Sequence, residues 1–150
     1  MTESLNFHAD LESILGELTH ARADLVSTVQ ALADGDLDRA RRGGWPVRRV
    51  LEHVIQSENL YAALVAHLRE QPVAQRGPVS CAGQAAQEIL CQLDSSRSAL
   101  LSALDGVDEE RFYQLRRMGH EEYSVLSVLE NAAAHDREHA GQTRAIVAAA

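Results

Sequence analysis

The chain has 150 residues and a formal net charge of −8, from 14 basic against 22 acidic side chains, which excludes the broad positive field of a general nucleic-acid or anionic-membrane binder. With 45% hydrophobic and 24% charged residues the composition is that of a globular protein, and the length predicts one domain over 1–150. Every basic residue is arginine; without lysine, and without a GxGxxG or GxSxG motif, Schiff-base, phosphate-loop, dinucleotide and serine-elbow chemistries are excluded together.

Alanine is abundant and aromatics are 4% of the chain, as in helical proteins. The longest apolar run, Leu60 to Ala66, is far short of the roughly 20 residues that span a bilayer. Met1-Thr2-Glu3-Ser4 carries no basic residue ahead of an apolar core. These features predict a cytoplasmic protein without a membrane span, whose Cys81 and Cys91 are reduced thiols.

The first amphipathic segment runs from about His8 to Asp34, with Leu11, Ile14, Leu15, Leu18, Leu25, Val29 and Leu32 on one stripe and Gly35 as its stop. A polar connection, Asp36 to Gly44, follows. The second helix begins at Pro46, read as its first helical position, carries Val47, Val50, Val54, Tyr61, Leu64 and Leu68 on one face, and ends at Pro72. Ser80 is the expected cap of a third helix that reaches Leu104 through Ala85, Ile89, Leu93 and Leu100. From Val107 to Tyr123 no period holds beyond a short helical turn at Asp108 to Phe112. Ser124 then caps a fourth helix through Val125, Val128, Ala132, His135, His139, Thr143 and Ile146. Four such helices of about 25 residues with no credible strand predict an all-α fold, an antiparallel four-helix bundle with a long connection between helices 3 and 4.

His135 and His139 fall within the apolar stripe of the fourth helix, one turn apart, so both imidazoles project toward the bundle axis. Two neutral imidazoles there each need a hydrogen-bond partner, and two imidazolium ions would repel one another; a shared cation resolves both. His53, near the edge of the second helix's stripe, is placed for a facing helix to bring it to the same point. Three imidazoles leave coordination positions open, as catalytic metal sites do.

Trp45-Pro46-Val47-Arg48-Arg49-Val50-Leu51-Glu52-His53 resembles the tryptophan-to-histidine motif of the DinB/YfiT-like superfamily, and His135-Asp136-Arg137-Glu138-His139 resembles its C-terminal HxxxH. The motifs stand in the family's order and at its usual separation, and the chain departs from the pattern at Pro46, where many relatives have serine or threonine. The resemblance implies a four-helix bundle of this length holding a divalent metal on His53, His135 and His139. It also implies the chemistry of a class that includes S-transferases and isomerases using a low-molecular-weight thiol such as mycothiol or bacillithiol, and metal-dependent hydrolases, without choosing among them. The first reading adopted is a metal-dependent S-transferase acting on a thiol and an electrophile, with a metal-dependent hydrolase and a noncatalytic metal-stabilised stress-response module as the other readings. Three nitrogens with open positions suit zinc or nickel, and also iron or manganese.

Around this set, Asp136 and Glu138 are candidates to orient the ligands, Ser57 and Gln142 to line the open side of the metal, and Trp45 to anchor the bundle end as a pocket wall. The arginines at 39, 41, 42, 48 and 49 are read as a solvated loop able to attract an anion. A homodimer is the expected assembly, as it is common in proteins the chain resembles.

Overall fold

The first helix, α1 (Leu5–Gln30), starts where the Ser4 hydroxyl accepts from the Phe7 amide at 3.1 Å, satisfying one of the donors that every helix start leaves unpaired. Ser4 also opens the stretch, residues 4–149, that this computed structural model describes; Met1–Glu3, read above for targeting, lie outside it. The helix ends one turn before Asp34, and Gly35 does not stop it. With a φ of 89° Gly35 instead opens a 3-10 turn, Asp36–Asp38, and the buried Asp36 carboxylate folds back to accept the Ala33 amide at 2.6 Å.

Helix α2 (Val47–Leu68) is capped by Pro46 rather than begun by it: the Pro46 backbone is extended, and its carbonyl accepts the Arg49 and Val50 amides. The helix stops at Leu68, short of Pro72, where Arg69 caps it and Glu70 takes a left-handed φ of 57°. Helix α3 (Ala86–Leu104) is capped at Ala85, not at Ser80; the Glu88 carboxylate reaches back to the Ala85 amide, while the Ser80 hydroxyl accepts from Ala82 in the preceding loop.

A short helix, α4 (Glu109–Tyr113), lies where one turn was expected, with the Asp108 carboxylate accepting the Arg111 amide. It is followed by two short strands that the sequence reading did not anticipate. β1 (Arg116–Met118) pairs antiparallel with β2 (Glu121–Tyr123) across a two-residue Gly119-His120 turn in which Gly119 has a φ of 67°. Three-residue strands carry too little alternation to stand out, and the Gly-led turn was their only local signal. Helix α5 (Val125–Ala148) begins as expected at Ser124, whose hydroxyl accepts from Ser127 while the Ser127 hydroxyl accepts from Ser124. Ser124→Ala should lower stability by about 1 kcal/mol, read as a shifted urea midpoint with an unchanged slope.

Two apolar clusters fill the bundle. One gathers Phe7, Ile14 and Leu18 of α1, Val65 and Leu68 of α2, Leu100 and Leu104 of α3, and Val125 to Ala133 of α5 around Phe112. The other gathers Leu25 and Val29, Val47 to Ile55, Ile89 and Leu93, and Ala140 and Ile146. The bundle is therefore all-α with four long helices, and the order in which each helix meets the two clusters gives its direction. Helices α1 and α5 run from the first cluster to the second, and α2 and α3 run from the second to the first. Antiparallel pairs are thus α2 with α5 and α1 with α3, while α2 and α3 run parallel. Two parallel consecutive helices need a return crossover, and the extended, largely exposed residues 69–85 supply it. The long connection between the third and fourth long helices is present too, but it is occupied by α4 and the hairpin.

Between the clusters lies one polar layer. Arg22 of α1, Glu58 of α2, Arg97 of α3 and Asp136 of α5 are all buried. Arg22 donates to Asp136 at 2.9 Å and pairs with Glu58 at 2.9 Å; Arg97 donates to Glu58 at 2.8 Å and to Asp136 at 2.7 Å. Remaining donors go to the Leu93 and Leu18 carbonyls, and the Ser96 hydroxyl donates to Glu58 at 2.6 Å. Two cations and two anions cancel, and each charge finds several partners, which is the condition for keeping charge in a low dielectric.

Candidate metal centre

His53 projects from α2 and His135 and His139 from α5, beside the polar layer and facing one another across an antiparallel helix pair. The Nε2 of His135 lies 3.1 Å from the Nε2 of His53 and 2.9 Å from the Nε2 of His139. All three ligand nitrogens fall within 4.8 Å of one another. Nitrogens held about 2.1 Å from one ion stand about 3.0–3.4 Å apart, according to octahedral or tetrahedral geometry, so the two contacts that His135 makes are close to ligand spacing. His53 and His135 are half-buried and His139 is buried, so the side bearing His53 and His135 is the more open.

The protonation state follows from the partners. His139 Nδ1 lies 2.6 Å from the Gln142 amide oxygen, an acceptor, so Nδ1 carries the proton and Nε2 presents its lone pair to the cluster. His135 Nε2 faces two such nitrogens, and a single N–H there can satisfy only one of them. Without a cation the cluster has more lone pairs than protons to share; with one, all three lone pairs are used. Burial drives the His135 pKa down to about 4, with repulsion from His139 and His53 adding to it. His53 is lowered for the same reasons, burial first and then His139. Both therefore stand neutral at pH 7, the form that binds metal.

The depressed His135 pKa also fixes a sign for stability. Between the unfolded value of about 6.5 and the folded value, the unfolded chain takes up the proton more readily. The metal-free fold should therefore lose stability as pH falls through 6.5 toward 4. The contribution is on the order of 1–2 kcal/mol after allowance for the ring's partial exposure. His135→Asn should flatten the fall relative to the native chain in pH-dependent thermal unfolding; equal slopes in the two proteins would contradict a neutral His135.

The flanking candidates separate. Gln142 meets His139 directly. Trp45, 39% exposed, meets the His53 ring edge to face with centroids 5.5 Å apart. Ser57 stands half-buried one turn after His53. Asp136 is turned away, its hydrogen bonds going to Arg22 and Arg97, and so it serves the polar layer. Glu138 is exposed and bonds neither His53 nor His135 among the described residues, acting on both only as a charge that opposes their lowered pKa. His120 sits exposed in the hairpin turn and His20 on the surface.

Two residues at the site were not singled out as such by the sequence. Tyr61, assigned to the apolar stripe, places its ring 5.9 Å from that of His135, and burial, followed by the charges of Asp136, Glu138 and Glu58, raises its pKa so that it stays a protonated donor. Arg49, grouped with a solvated loop, stacks its guanidinium 4.5 Å over the Trp45 ring. Both were legible as spacing: residues 49, 53, 57 and 61 recur every four along α2, a single face bearing a cation, an imidazole, a hydroxyl and a phenol. Sizeable clefts lie elsewhere, for example a cavity of about 460 Å³ between the ends of α1 and α5 lined by Leu32 and Val147. The donor set marks the centre rather than cavity volume.

Comparisons with known proteins agree with this arrangement. No curated protein matches the chain. Among solved structures, the crystal structure of TT2238, a four-helix bundle protein, is similar with a TM-score of 0.68 and 22% identity, over 89% of this chain and 96% of that one; at that identity the likeness shows the fold. Among the described residues no helix is long and apolar enough to cross a membrane. The model of the DinB superfamily matches residues 17–143, a span that includes all three histidines and the whole of the polar layer, and the chain belongs to the DinB superfamily.

Proposed function

We propose that this protein is a divalent-metal-dependent enzyme, a thiol S-transferase that joins a low-molecular-weight thiol to a small electrophile. The observation that carries the reading is the convergence of three imidazole nitrogens on one point, with the half-buried His53 and His135 on its open side. A closed structural site would use a fourth protein ligand, and none joins the three among the described residues. Two apolar clusters and the neutral polar layer already hold the four helices together, so the bundle has no need of a metal as a structural clip. That favours a catalytic over a stabilising role.

A bound divalent cation supplies one thing here, a positive charge that keeps a thiol of ordinary pKa near 8.5 deprotonated at neutral pH. The chain's own residues supply the rest. Gln142 fixes the His139 tautomer so that Nε2 faces inward; zinc, nickel, iron and manganese all accept such a nitrogen set. Tyr61, held protonated beside His135, is a donor for charge developing on an electrophile. Trp45 forms a wall of the site beside His53. A cytoplasmic location belongs to the same reading, since both cysteines are free thiols.

The test is a thiol panel, including mycothiol and bacillithiol, added to the cobalt-loaded protein. A sulfur-to-cobalt charge-transfer band and transfer to an electrophile above the unaided rate are expected. If no thiol alters the spectrum, the transferase reading fails; a water-activating hydrolase then becomes the better account if ester or amide substrates turn over, and a noncatalytic module if they do not.

A further inference from the structure

We propose that Arg49 is the carboxylate-binding residue of this site, so that the thiol or electrophile it serves carries a carboxylate beside its reacting group. The inference rests on the function proposed above and adds the chemical class of its ligand. Of the arginines around the entry to α2, Arg39 is held by Asp36 at 2.7 Å, and Arg48 by Asp38 at 3.1 Å and by the Cys81 carbonyl at 2.9 Å, while Arg41 and Arg42 lie exposed in the preceding connection without a ring contact to the site among the described residues. Arg49 has no ion pair or hydrogen bond among the described residues. It is nevertheless not adrift: its guanidinium lies 4.5 Å over the Trp45 ring, which meets the His53 ring edge to face with centroids 5.5 Å apart.

The helix gives the same placement independently. Arg49 is one turn before His53 on the exposed face of α2, so its side chain neighbours the ligand at the open rim of the centre. Stacking on an aromatic face leaves the guanidinium edge free, and that edge is the part that takes a carboxylate through two parallel hydrogen bonds. A cation ordered by an indole, without a protein anion, next to an open donor set, is what a subsite for an anionic ligand requires. The acid-rich surface of the chain, at −8 overall, repels anions generally and makes a local cation the more necessary for one to settle.

The chain's single tryptophan is Trp45 itself, which provides a readout independent of metal. Propionate added to the metal-free protein should change the indole emission, with a response at least tenfold weaker per millimolar in Arg49→Gln. In the cobalt-loaded protein, 3-mercaptopropionate should bind at least tenfold more tightly than its methyl ester, judged by the charge-transfer band with cobalt content measured alongside, and Arg49→Gln should reduce that preference to less than threefold. Arg49→Lys should restore part of it and Arg49→Met none, which separates charge from packing on Trp45. The two thiols binding equally to the native protein with no Arg49-dependent response to propionate, or an undiminished preference in Arg49→Gln, overturns the role of Arg49 while leaving the transferase reading intact. Failure of both thiols, and of every thiol in the panel above, to give a band overturns the transferase reading. If the band shows no acid preference while propionate still quenches the indole through Arg49, the carboxylate belongs to the electrophile, and the subsite stands.

Discussion

Asp136→Ala is expected to destabilise the fold by about 3–5 kcal/mol, the cost of leaving buried charge without its partner. Asp136 accepts from both Arg22 and Arg97, and its loss leaves two buried guanidiniums sharing the Glu58 carboxylate, a net positive charge in the layer between two apolar clusters. The Arg22 pKa shows what is balanced: burial works against the charged form, and Asp136 and then Glu58 more than offset it. Removing a cation together with the anion restores neutrality. Arg97→Met combined with Asp136→Leu should therefore be less destabilised than the sum of the single changes by more than 1 kcal/mol, measured as urea unfolding free energies. Additive effects would mean that the four charges do not act as one unit.

That layer is also the part of the protein the sequence concealed most effectively, although its positions are regular. Arg22 stands between Leu18 and Leu25, Glu58 between Val54 and Tyr61, Arg97 between Leu93 and Leu100, and Asp136 between Ala132 and His139. Each is an interruption of an apolar stripe at helical spacing, one per helix, two of each sign. Read helix by helix such a residue is a solvated charge at the edge of the stripe; read across helices the four cancel, and only packing brings them to one level. The helices themselves and the cap at Ser124 were legible because periodicity and side-chain capping are local. Helix directions were not, since nothing in a stripe says which way its neighbour runs, and the exposed crossover over 69–85 reads as an ordinary loop. The histidines were legible because three imidazoles on buried stripes need a common explanation. Arg49 and Tyr61 were noted but not placed at the site, because an arginine over a tryptophan and a half-buried tyrosine look like loop and core until the His53 face is drawn as one row.

Purified protein is expected to hold about one divalent ion per chain, and alanine in place of His53, His135 or His139 should each weaken binding by at least about tenfold, in the range seen when a metal site loses a donor or its support. His53→Ala removes the donor from α2, leaving two nitrogens on one helix; His135→Ala removes the nitrogen that approaches both others, and should have the largest effect. Gln142→Ala keeps every ligand but releases the His139 tautomer, so its loss should be smaller than that of any ligand variant. Helical circular dichroism should persist in all four, because the apolar clusters do not depend on these side chains. Acid should act through the same nitrogens: binding requires neutral imidazoles, and since burial holds His135 neutral down to about 4 and lowers His53, occupancy should survive at pH 6 and fall as the pH approaches 4. Native metal content by elemental analysis, before and after dialysis at each pH, measures both effects. Wild-type occupancy in all three histidine variants, or occupancy unchanged at pH 3.5, would remove the imidazoles as ligands and with them the basis for metal-dependent chemistry at this site.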